Sequence, residues 1–255
     1  MLKFDRRIVG GKYTALVFAF SIANMPLSAQ SIDFQYEDHP PFVYEVDGKV
    51  TGIFVDVTVR AANLAGFEVV WKKRTFNRLK RDLEDGAQPF CASGHSKTPE
   101  AESKWHVTDA IGHFGRTGLL VRESDKAAIA SVGSIQALFE QTSFIGGFVK
   151  GAVYAVPYEQ YLVFSHDEHL ITSSNHEQLA QLVAKGRLDF VFIDEVMLPM
   201  HQKVNAVGAQ LGFVTFPEMP GGAEAHIICT KAVPASWVVR LNHGIEEATK
   251  KAALE

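Results

Sequence analysis

The chain has 255 residues, of which 47% are hydrophobic and 21% charged, with a formal net charge of −4. That length suits one large or two modest domains with ample material for a core. The slight negative charge and the lack of any basic block exclude nucleic acid as a partner, and neither an internal repeat nor a low-complexity tract interrupts the chain.

Lys3, Arg6 and Arg7 precede an apolar run from Tyr13 to Ala23, followed by Met25-Pro26-Leu27-Ser28-Ala29-Gln30. A basic start, an apolar stretch too short for a comfortable membrane span and a small residue at the cut point predict a signal peptide over residues 1–29, cleaved after about Ala29. The alternative is an uncleaved membrane anchor. Export to the periplasm is the expectation, and there Cys91 and Cys229 meet an oxidising compartment. On their own they read either as a disulfide or as two small buried hydrophobes.

Ile32, Phe34 and Tyr36 alternate as a half-buried strand should, and His39-Pro40-Pro41 stops it. Asp47-Gly48 predicts a hairpin turn between Phe42-Val43-Tyr44 and Val50-Thr51. From Phe54 the spacing becomes helical through Val57, Ala61, Ala62, Leu64 and Ala65, with Gly66 as the C-terminal stop. Phe67 to Trp71 is β-branched and aromatic, a second strand. This strand–helix–strand order predicts a βαβ unit whose first loop lies at the carboxyl end of a parallel strand, where open α/β sheets bind small ligands.

Arg74 to Arg78 opens a helix carrying Leu79 and Leu83 and closing at Gly86. Gln88 to Gly94 reads as a short strand running into the loop His95 to Glu100, and Thr98-Pro99 reads as a helix start. Ser134 to Phe139 predicts a short helix, Phe144 to Val149 a strand, and Leu170 to Thr172 another. Ser174 to Gln178 caps a helix that closes at Lys185-Gly186-Arg187. Leu188 to Asp194 is an apolar strand ending in a carboxylate. In the final helix Trp237, Val238, Leu241, Ile245 and Ala248 share one face, with Asn242 and Glu246 outside it.

The order PPF, DGK, TGIFVDVT and a helix ending LAGF, followed later by GRLDF and an apolar strand ending in Asp194, resembles the periplasmic solute-binding proteins of family 3. These are the polar-amino-acid receptors of ABC importers. The resemblance covers nearly all of the exported chain. It implies an α/β fold of the two-lobe type II periplasmic binding protein kind, each lobe a mixed, mainly parallel sheet flanked by helices, joined by two crossover hinges near residues 115 and 224. The boundaries are 30–115 for the first part of lobe one, 116–223 for lobe two, and 224–255 for a short C-terminal return to lobe one. In that fold the strands holding Cys91 and Cys229 are neighbours, which implies their disulfide.

The resemblance also supplies a ligand set, Tyr36, His39, Phe76, Gly94, Ser96, Lys150, Tyr154 and Asp194, to which the nearby cations Arg78 and Lys97 are added. Tyr36, His39 and Phe76 match positions for aromatic or polar contact. Gly94, Ser96 and Lys97 belong to the loop G-H-S-K-T-P-E-A, where Ala101 stands in place of the family's Arg, a planar donor fork for a ligand carboxylate. Lys97 or Arg78 could supply the missing cation. Lys150 and Tyr154 match the loop after a lobe-two strand, a place for an anion. Asp194 is read as accepting from a ligand ammonium, the alternative being a helix N-cap for Val196-Met197-Leu198, while Asp189 is read as structural.

Together these readings make the chain a non-catalytic receptor that closes its lobes over a small polar ligand and passes it to an ABC permease of the inner membrane, and that is a monomer. One alternative is a sensing or degenerate domain. Another is a secreted enzyme akin to cyclohexadienyl dehydratase, with His39, His95, Glu100 and Asp194 for acid–base work. Ten histidines are scattered without HExxH spacing, and GxSxG, P-loop and dinucleotide fingerprints are absent, so neither metal nor cofactor is expected.

Overall fold

The structure, a computed structural model, describes residues 30–141, 143–149, 170–173, 176–204, 210–219 and 221–252. The expected signal segment 1–29 and the predicted ligand residues Lys150 and Tyr154 lie outside them. No helix among the described residues is long and apolar enough to cross a membrane.

Strand β1 (Gln30–Tyr36) leads through the proline loop to the hairpin β2 (Tyr44–Val46) and β3 (Lys49–Thr51). Asp47 and Gly48 both adopt positive φ at its tip, as a two-residue Asp-Gly turn requires. Helix α1 (Ile53–Leu64) follows, and β4 (Phe67–Lys73) returns parallel to β1, which completes the expected βαβ unit. Next come α2 (Phe76–Asp85), β5 (Cys91–Ser96), α3 (Pro99–Lys104) and β6 (His106–His113). The predicted cap holds: Thr98 Oγ1 accepts from Ala101 N at 3.1 Å. The strand β5 runs further than its sequence implies, through His95 and Ser96, because a later strand pairs with both residues.

The chain then crosses into a second sheet with β7 (Thr117–Arg122), α4 (Lys126–Ala130), α5 (Ile135–Glu140), β8 (Gly146–Val149) and β9 (Leu170–Ser173). After them come α6 (His176–Ala184), β10 (Phe190–Asp194), α7 (Leu198–Val204) and β11 (Leu211–Val214). It returns to the first sheet as β12 (Glu224–Cys229) and ends in α8 (Ala235–Ala252). The strand orders are β4-β1-β5-β12-β6 and β11-β7-β10-β8-β9. In each sheet a single strand runs against the rest: β12 in the first and β7 in the second. Each is the strand that the chain enters straight from a crossover.

Side-chain alternation builds two layers on each sheet. In the second, Leu120 and Val191 pack with Leu179 and Val183 of α6. Their neighbours Leu119, Val121, Phe190 and Phe192 face the other way onto Leu138 and Phe139 of α5. In the first, Ile32 and Phe34 cluster with Ala61 of α1 and Leu241 of α8, while Leu79 and Leu83 of α2 cover Phe90, Ala92 and Ile228. Each fully buried Phe or Leu contributes about 1.5–3 kcal/mol.

Two details differ from the helical patterns read in the sequence. Leu64 is 57% exposed, because the buried stripe of α1 runs through Phe54, Thr58 and Ala61 and Leu64 falls beside it in the last turn. Asn242 is not on the outer face of α8: its Oδ1 accepts from Asp109 N at 3.0 Å, which satisfies a backbone donor of β6.

Candidate functional site

Strand direction decides where a ligand can meet the chain. Strand β6 ends at the first crossover and β11 ends at the second, so every strand parallel to them also ends on that side. The carboxyl ends of both sheets, with their following loops, therefore face the junction. The crossovers themselves lie side by side: Phe114 N donates to Ala223 O at 3.0 Å. Gly115 (φ 86°) and Gly222 (φ 111°) sit next to each other there, and a Cβ on Gly222 would come within 2.7 Å of Gly115 O. Two adjacent glycine-bearing strands form a hinge with little side-chain bulk to resist rotation.

Across the junction the imidazole of His39, from the loop after β1, stacks on that of His176, the first residue of α6, with centroids 5.4 Å apart and planes 14° apart. The His39 ring also lies 5.0 Å from Phe42, which joins Phe54 and Phe114 in a mutually packed aromatic trio running back to the hinge. Phe42 is thus part of the core. His95, near the end of β5, and His201 of α7 lie close enough to oppose a charge on His39, and His201 opposes one on His176 as well. Burial holds His39, His95 and His201 down at about 4, and His176 well below its usual value. All four are neutral at pH 7. The buried Nε2 atoms of His39 and His201 have no hydrogen-bond partner.

Two half-buried carboxyl groups stand at strand ends on the same side. Asp194 ends β10, and its only hydrogen-bond partner among the described residues is Thr117, the opposite residue of β7, at 3.4 Å. Burial pushes its carboxyl up to about 7. The side chain makes no capping bond to the turn that follows, so the N-cap alternative does not describe it. Glu37, directly after β1, is pushed up to about 7 by burial and by neighbouring Asp38. Asp189 sits at the opposite end of β10 and has a wholly structural role, accepting from Arg122 Nη2 at 2.7 Å and Ile145 N at 2.8 Å.

The described residues among those expected at the ligand fall into two groups. His39, Asp194, Gly94 and Ser96 stand at strand ends facing the junction, and Gly94 (φ 79°) lets the strand lie on the Phe54 ring, which a Cβ would meet at 2.8 Å. Phe76 begins α2, half-buried, after the end of β4. The others are engaged elsewhere. Tyr36 packs edge-on against Trp71 and donates to Glu45 Oε2 at 3.1 Å. Arg78 pairs with Asp82 at 2.9 Å and Lys97 with Glu102 at 3.1 Å, both on the surface. Glu100 is exposed and paired with Lys104 at 2.6 Å, which removes it from any acid–base group in the cleft. His176, His201, Glu37 and Thr117 escaped the sequence reading. The sole signal for the histidines was their number, and the fold gathers four that the sequence scatters. Cys91 and Cys229 are opposite residues of β5 and β12 and form a disulfide. Among the described residues no three His, Cys, Asp or Glu side chains are grouped to hold a metal ion.

Comparison with known proteins gives the same architecture. The profile of the bacterial extracellular solute-binding proteins, family 3, matches residues 34–250. No curated protein sequence matches. Among solved structures, an amino acid ABC transporter substrate-binding protein from Streptococcus pneumoniae bound to L-arginine superposes with a TM-score of 0.70 at 19% identity, over 88% of this chain and 90% of that one. An ancestral amino acid-binding protein, described as a precursor of cyclohexadienyl dehydratase, gives 0.68 at 18% identity over 87% and 90%. A structure from work on glutathione import by GshT and the cystine ABC importer of Streptococcus mutans gives 0.70 at 16% identity over 89% and 92%. These likenesses establish the two-lobe type II binding-protein fold.

Proposed function

Because the chain belongs to the bacterial extracellular solute-binding proteins of family 3, we propose that it is an extracytoplasmic receptor. It captures a small polar solute, an amino acid or a related compound, between its lobes and delivers it to an ABC permease of the inner membrane. In this reading residues 1–29 are an export signal, the lobes comprise 30–115 with 224–255 and 116–223, and the working form is a monomer without catalytic activity. The observation that carries it is the pair of polar atoms left without partners where the two lobes meet, Nε2 of His39 and of His201, with the half-buried Asp194 carboxyl at the end of β10 on the same side. A solute that fills these vacant bonds binds only when both lobes contribute, so its binding energy shifts the population toward the closed form.

An enzymatic reading would draw on Asp194, Glu37 and the histidines, with the exposed, ion-paired Glu100 standing outside that group. Binding without turnover is the simpler use of these groups. The test is thermal denaturation with a panel of amino acids, short peptides, amines and organic acids. A ligand at one hundred times its Kd adds about 2.7 kcal/mol, roughly 5–10 °C for a chain of this size. A flat panel from a protein that melts cooperatively overturns the receptor reading.

A further inference from the structure

The polar groups at the junction share one chemical character: they accept hydrogen bonds or carry latent negative charge. Asp194 and Glu37 are carboxyls without an ion-pair partner among the described residues. Neutral His39 and His201 each offer a buried, unpartnered Nε2, and His201 is 8% exposed. A neutral imidazole whose Nδ1 holds the proton presents Nε2 as an acceptor.

The described cations on the surrounding strand ends are all turned to acidic neighbours: Lys73 to Asp38 and Glu45, Arg78 to Asp82, Lys97 to Glu102 and Arg116 to Glu195. Ala101, at the start of the helix after β5, is buried and adds no donor beyond its capped backbone. Among the described residues, an anion or a zwitterion's carboxylate placed here would find a cation only by breaking one of those ion pairs or by protonating a buried histidine. A cation would need neither. It would bring the opposite charge that the two carboxyls lack and N–H donors for the two nitrogens.

We propose that the cleft takes a small organic cation that requires no carboxylate of its own, an amine or guanidine with several N–H donors, held by Asp194 and Glu37 and by Nε2 of His39 and His201. This rests on the receptor reading and narrows its solute class. A bare metal ion fits less well. The His39 and His176 rings stack instead of aiming their lone pairs at one point, and the described side chains form no metal-holding group.

The matched pair agmatine and arginine separates the cases, since the two carry the same guanidinium and differ in the α-carboxylate. Titration calorimetry of the purified protein would compare them, with putrescine against lysine, glutamate and succinate as anions, and zinc chloride alone. The expected result is agmatine or putrescine binding at least as tightly as its carboxylated counterpart. Asp194→Asn and Glu37→Gln should each weaken that binding by about tenfold or more, the loss of one charge-assisted bond. Tighter binding of arginine, of a dicarboxylate or of zinc overturns the cation assignment and leaves the receptor intact. Silence across the whole panel, from a protein that melts cooperatively, removes both.

Discussion

The outer ends of the two sheets and their cleft ends are built on opposite principles. At the outer end of the first sheet Cys91 and Cys229 are covalently joined, and just beyond them Thr230 N donates to Phe90 O at 3.0 Å. At the outer end of the second, Arg122 donates to Leu188 O at 2.6 Å, Val183 O at 2.9 Å and Asp189 Oδ1 at 2.7 Å, and Asp189 also caps Ile145 N. The cleft end of β10 carries Asp194 with one long bond, and the cleft-side loop and helix carry His39 and His201 with a bare nitrogen each. Strand β10 makes the contrast within a single element: a satisfied aspartate at its start and an unsatisfied one at its end. Locating the fastenings away from the cleft leaves the junction free to hold groups that cost stability until a ligand arrives.

Removing an outer fastening should cost stability and leave solute selection alone. The largest loss is expected from Cys91→Ala with Cys229→Ala. A disulfide closing so long a loop (sequence separation 138) contributes about 2–5 kcal/mol. That lowers the midpoint by roughly 5–15 °C in scanning calorimetry. A midpoint unchanged in the double variant, and in the wild type under reducing agent, would show that the first sheet does not depend on this bond. The second lobe's counterpart is Asp189→Ala, which strips Arg122 of one acidic partner and Ile145 N of its acceptor. About 2 kcal/mol is expected, less than for a fully buried pair because Asp125 still faces Arg122. The ligand-induced thermal shift should survive in both variants, and its loss in either would break the division between outer and cleft ends.

The same division marks what was legible in the sequence. Outer-end and core features follow from local rules: Gly66 and Gly86 stop their helices, Thr98 and Ser134 cap theirs, and GRLDF announces a strand whose first Asp is structural. Asp194 was legible because a carboxylate at the end of an apolar strand needs only the strand to be placed. The histidine group was not. His39, His95, His176 and His201 belong to four separate segments of two sheets, and only the parallel strand directions bring those segments together. Glu100 illustrates the converse. It stands beside the ligand loop in sequence, but the helix that Thr98 caps carries it into solvent and to Lys104. A list of nearby residues records chain distance, whereas the cleft records strand order. Arg78 and Lys97 stand near the ligand loop in chain distance, and each pairs with an acid on its own surface.

The effect of opposite sign is the sharpest on the comparison. If Asp194 is a cleft-end group held for a ligand, replacing it should stabilise the empty protein, the reverse of Asp189→Ala. Its carboxyl is pushed from an ordinary 3.8 up to about 7 in the folded state. Its favourable contribution is therefore full below the unfolded value and is lost as pH rises through about 7, where the buried side chain must ionise. Asp194→Asn removes that cost. The variant should melt several degrees above wild type at pH 7.5, and the difference should shrink through the window between about 7 and 4 until the two coincide. The buried histidines, held near 4, have the opposite sign, losing stability as pH falls from 6.5, but they are common to both proteins and cancel in the difference. Scanning calorimetry at pH 4, 5.5 and 7.5 reads this directly. A variant less stable than wild type at pH 7.5 would mean that Asp194 is already satisfied, and the contrast between the two ends of β10 would fall with it.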